Sequence, residues 1–122
     1  MKKLFFSLSA GLLLYSCNMS DSVEILPQGY EFVYEGGNQN RLIKNHKLII
    51  DSGIVKCKYN DDYLLVSVDT TYSMNPDEID KRNLQYFMQD LKRDTIIKKI
   101  SFIDLQILIK KDNSIKDIDI TK

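Results

Sequence analysis

The chain has 122 residues, enough for one ordinary domain and too few for two. Its 17 basic and 17 acidic side chains cancel, and the pI near 6.6 argues against a nucleic-acid partner, which selects for a basic face and a pI above ~9. Hydrophobic residues at 43% and charged residues at 28% fit a globular domain.

Met1-Lys2-Lys3 is a positively charged start, and the apolar run Leu4–Tyr15 follows it. As a helix this run is roughly 18 Å long, whereas a bilayer core of ~30 Å needs about 20 apolar residues. The layout is that of a signal peptide rather than a membrane span. Its end, Leu14-Tyr15-Ser16-Cys17, resembles the lipobox of bacterial lipoproteins, of the Leu-x-Ser-Cys kind found in Bacteroidetes-type chains. That resemblance implies cleavage between Ser16 and Cys17, and diacylglyceryl transfer to the Cys17 thiol. Asn18 stands where an aspartate would resemble an inner-membrane retention signal, so the outer membrane is favoured. Without residues 1–16 the chain keeps 15 basic and 17 acidic side chains, a mildly acidic balance that does not recruit it to acidic headgroups. The expected divisions are residues 1–16 as signal peptide, 17–28 as lipidated terminus and polar tether, and 29–122 as one folded domain.

Beyond the tether the pattern is mostly period-two. Tyr30, Phe32 and Tyr34 share one face of a strand, with Glu31 and Val33 on the other, and Glu35–Asn38 supplies a glycine turn. Arg41–Ile43 and Lys47–Ile50 are short return strands. Ile54–Tyr59 pairs with Tyr63–Asp69 around Asn60-Asp61-Asp62, the clearest hairpin in the chain. Polar residues 70–83 form a long loop, in which Asn75, Pro76 and Glu78 suit a short helix start. Leu84–Leu91 and Thr95–Ile100 make another hairpin. Ser101 and Asp104 form a capping pair that opens a helix burying Phe102, Leu105, Leu108 and Ile109. The tail Ile115–Ile120 reads as an edge strand or a frayed end. Together these predict an α+β fold: one antiparallel sheet of about five to six strands, covered on one face by the C-terminal helix.

The order of lipobox, Gly29-Tyr30 strand, Asp61-Asp62-Tyr63-Leu64-Leu65-Val66 hairpin and Tyr86-Phe87-Met88-Gln89-Asp90 strand before a Ser-started helix is similar to a family of small bacterial lipoproteins of uncharacterised activity. The resemblance spans most of residues 17–112. It implies the fold and the envelope address, and it brings no chemistry with it.

The residues that carry chemistry elsewhere are poorly grouped here. His46, the single histidine, falls in a turn without metal-ligand spacing around it. Asp77, Glu78 and Asp80 crowd the long loop without an EF-hand pattern. Asp61 and Asp62 are neighbours in a turn, unlike carboxylates that straddle a glycosidic bond. If Cys17 is lipidated, Cys57 has no disulfide partner; alternating with Val55 and Tyr59, it reads as a buried small hydrophobe. No catalytic residue, metal site or cofactor is therefore expected. The Tyr30, Phe32 and Tyr34 stripe is the candidate binding surface, and packing beneath the helix as core is the favoured alternative. The expected product is a non-enzymatic, lipid-anchored envelope module with the membrane and a protein as partners. An immunity or inhibitor lipoprotein is one version. A small hydrolase, a carbohydrate-binding accessory and a structural envelope component are the competing classes.

Overall fold

A computed structural model describes residues 22–122. The expected signal peptide and the Ser16–Cys17 cleavage and lipidation site lie outside the described residues.

The fold is α+β, and the described residues form eight strands in two antiparallel sheets. The first sheet is the meander β1 (Ser22–Ile25), β2 (Tyr30–Tyr34), β3 (Arg41–Lys44) and β4 (Lys47–Ile50). The second is the meander β5 (Ile54–Tyr59), β6 (Tyr63–Val68), β7 (Gln85–Asp90) and β8 (Lys98–Ile100). One helix, α1 (Phe102–Lys111), follows. The expected single sheet is thus two four-stranded sheets, and the helix covers only the second.

The layers explain the burial. Tyr30, Phe32 and Leu42 from the first sheet meet Ile54, Leu64, Val66 and Val68 from the second, forming one core between the sheets. Leu65 and Tyr86, on the other face of the second sheet, pack with Leu105 and Ile109 of α1 and with Ile115, Ile118 and Ile120. β6 is therefore the middle of three layers, with Leu64 through Val68 buried on alternating sides. A strand enclosed on both faces reads as a nearly continuous apolar run instead of an alternation.

Local signals account for most element ends. Asn45 and His46 both have positive φ, at 49° and 68°, the geometry of a two-residue hairpin turn between the paired Lys44 and Lys47. Asn60 Oδ1 accepts hydrogen bonds from the Asp62 and Tyr63 amides and closes the β5–β6 turn. Ser101 Oγ accepts from the Asp104 amide at 3.1 Å, capping α1 as its sequence predicts.

Three expectations change. Ser22–Ile25 is not tether but an edge strand paired to β2, with Val23 opposite Val33. The tail is neither strand nor frayed: Asn113–Ile118 is a 3-10 turn that buries Ile115 and Ile118. Spacing of three suits a 3-10 turn, and it tucks this segment under the helix layer. Val55 does not share a face with Cys57, because the register slips between Ile54 and Lys56. The bulge sends Val55 toward the helix and leaves Ile54 and Cys57 on the inter-sheet side.

A polar link fastens the sheets inside the apolar layer. Tyr30 Oη donates to Gln89 Oε1 at 2.5 Å, and the Gln89 amide donates to Gln28 Oε1 at 2.7 Å and to the Asp94 carbonyl at 2.9 Å. Gln28 in turn donates to the Leu91 carbonyl. Gln89 is buried and satisfied, so its register against Tyr30 is fixed by geometry as well as by packing.

Candidate binding cleft

The aromatic stripe splits between the two roles open to it. Tyr30 and Phe32 are 1% and 8% exposed and belong to the inter-sheet core, so they are corrected from binding surface to core. They pack against the second sheet and not beneath α1. Tyr34, at the end of β2, is 54% exposed. It lines a cleft of about 370 Å³ with Asn40, Val55, Met74, Pro76, Asp77 and Glu78.

Three connections meet at this cleft, and their hydrogen bonds make it a built feature. Asn40 is buried beside it; its Oδ1 accepts from the Glu35 and Gly36 amides, and its Nδ2 donates to the Ile54 carbonyl. Asn38 Nδ2 donates to the Tyr72 carbonyl at 2.9 Å, tying the β2–β3 turn to the loop after β6. Gly53 joins the third connection: its amide donates to the Asn38 carbonyl, and the Asp69 amide donates back to the Gly53 carbonyl. Gly53 has φ +86°, and a Cβ there would sit 2.6 Å from the Asp69 carbonyl oxygen. Only glycine fits that approach.

Asp69 organises the loop itself. Its carboxylate accepts from the Thr71 amide, the Thr71 hydroxyl and the Ser73 amide. Burial pushes its pKa up, but the bonds from Thr71 and Ser73 outweigh this and hold it below the usual carboxylate range. Tyr72 consequently sits at φ +54°, a left-handed conformation unusual for an aromatic residue. The loop places Met74, 82% exposed, at the cleft beside Tyr34. Tyr34 offers a flat amphipathic ring, Met74 an adaptable thioether, and Asp77 and Glu78 an acidic lip. The chemistry suits an extended segment with an apolar side chain and a neighbouring positive charge.

Sequence reasoning found Tyr34 but missed Met74, Asn40 and Asp69. Asp69 followed by Thr two positions later and Ser four positions later is the Asx-type turn signal that would have found the loop's organiser. The expected short helix there is a 3-10 turn, Pro76–Glu78, with Pro at its start but no bond from the Asn75 side chain.

The other candidate groups stay apart. His46 is exposed at the β3–β4 turn and lines none of the described clefts. Asp62 pairs with Lys92 at 2.7 Å. Asp80 is held by Arg82, whose guanidinium bonds lower its pKa to about 2. Among the described residues no three His, Cys, Asp or Glu side chains are grouped to hold a metal ion. Cys57 is half-buried, and burial, then the charge of Glu24, pushes its thiol up to about 12, which leaves it a weak nucleophile.

No family model matches the chain, and no curated protein or solved structure matches it either.

Proposed function

We propose that this chain is a lipid-anchored lipoprotein of the bacterial cell envelope, placed at the outer membrane on its Asn18, whose domain is a non-enzymatic protein-binding module. The observation that carries the address is the N-terminal sequence: two lysines, an apolar run too short to span, and Leu14-Tyr15-Ser16-Cys17. More than one acyl chain on Cys17 would make the attachment durable, since a single chain binds only marginally.

Binding is favoured over catalysis by the Tyr34–Met74 cleft. Its walls are cross-tied turns and its lining is aromatic, thioether and carboxylate, which suits recognition. The same acidic lip favours an inhibitor-type role against a partner with an exposed basic segment over a carbohydrate-binding one.

Two variants test the parts separately. Cys17→Ser should move the protein from the membrane fraction to a soluble pool; continued pelleting without a soluble pool contradicts the anchor. Tyr34→Ala combined with Met74→Ala should abolish cross-linking to an envelope partner that wild-type protein captures, while the urea midpoint stays unchanged. Equal capture by both proteins contradicts the cleft.

A further inference from the structure

The first sheet turns one face to the core and the other outward, and the outward face carries exposed apolar side chains on its two edge strands. Cross-strand register puts Val23 opposite Val33, Ile25 and Ile43 on either side of Glu31, and Ile43 opposite Leu48. Val23, Ile25, Ile43 and Leu48 lie on the side away from Phe32 and Leu42 and belong to neither core, while Val33 on the same side is buried at 8% exposure. Ile25 is 70% exposed and Leu48 52%. A sheet with one open face ordinarily alternates apolar-in with polar-out, so this outward face marks a contact surface. Its charged residues are Glu31 and Arg41, and the Arg41 guanidinium is engaged by Glu35 at 2.6 Å.

Chain length points to the occupant. Only residues 18–21 separate Cys17 from Ser22, where β1 begins, and an extended chain covers at most about 3.6 Å per residue. Acyl chains on Cys17 therefore hold β1 within about 18 Å of the bilayer surface. β1 is also the strand that contributes Val23 and Ile25 to the open apolar face. We infer that this face, through the exposed side chains of Val23, Ile25 and Leu48, rests on the lipid surface. The domain then lies flat on the membrane, and the layers stack outward as first sheet, second sheet and α1. Glu31, between Ile25 and Ile43, stops the face at headgroup depth. This inference rests on the lipid-anchor reading above.

The chain has no tryptophan, so a single introduced indole reports one position. Native lipoprotein carrying Leu48→Trp, and in parallel Ile103→Trp on the exposed side of α1, is reconstituted into phosphatidylethanolamine–phosphatidylglycerol vesicles with brominated acyl chains. Both proteins are expected to float with the vesicles, with Leu48→Trp blue-shifted and quenched several-fold more than Ile103→Trp. Flotation with equal, weak quenching of both overturns the membrane-facing sheet and leaves the anchor standing. Failure to float overturns both. A Leu48→Trp probe shielded from bromine and from aqueous acrylamide alike, in a protein that cross-links to itself, assigns the face to a second copy and also overturns the inference.

Discussion

Asp69 concentrates the residue-scale physics of this protein. Its buried carboxylate replaces lost water with the Thr71 amide, the Thr71 hydroxyl and the Ser73 amide. Folding lowers its pKa, so the native state takes up this proton less readily than the unfolded chain. The stability it contributes is complete above the unfolded carboxylate value of about 3.9, and is lost as pH falls through the lower folded value. Asp69→Asn should cost about 1–3 kcal/mol at neutral pH, and its stability should fall less steeply in acid than that of the wild type. Urea midpoints measured from neutral pH down through the carboxylate range check both effects; parallel acid limbs would contradict them. Such residue-scale arrangements were the least legible in the sequence. Gln89 reads as an ordinary polar position on a strand, and nothing local says that Tyr30 Oη waits for it across the sheets. A partner 59 residues away leaves no trace in a window of neighbours.

Element identity was more legible, because it depends on neighbours. The β5–β6 hairpin, the Asn45-His46 turn and the Ser101 cap each follow from residues within a few positions of one another. Where the period changes silently, sequence reading fails. The Val55 bulge adds one residue to β5 and inverts the face of everything before it. In the tail, Ile118 and Ile120 mimic a strand period, while Ile115 and Ile118 set the 3-10 spacing that the fold uses. The energetics of the two kinds of signal differ. Ser101→Ala removes one cap bond at the exposed start of α1 and should cost about 1 kcal/mol. Leu65→Ala removes a side chain buried between the second sheet and α1, and should cost about 2–5 kcal/mol. Equilibrium urea unfolding of the two variants orders them; a larger loss for Ser101→Ala would contradict the layer assignment.

At the scale of the molecule, the layers decide what each surface can do. The second sheet is covered on both sides, by the first sheet and by α1. It is therefore scaffold, and recognition falls to loop ends and outward faces. The α+β class was readable from hairpins followed by a helix. Division into two sheets was not, although the unbroken apolar run Leu64–Val66 carried the hint that β6 would be enclosed. The Tyr34 half of the stripe faces a cleft because three turns converge on it, and turn convergence is a property of topology. On the proposed reading the two surfaces would have separate work: the outward face of the first sheet for lipid, and the Tyr34–Met74 cleft for a protein segment.

The proposed address depends on acylation of Cys17, which would convert a near-neutral domain into a surface-bound one. Intact-mass and N-terminal peptide mass spectrometry of the protein extracted from its native membranes tests it most directly. The account predicts a polypeptide beginning at Cys17 and heavier than its sequence by a diacylglyceryl group, with or without a further amide-linked chain. A polypeptide beginning at Met1, or one in which Cys17 carries a free thiol, would contradict it.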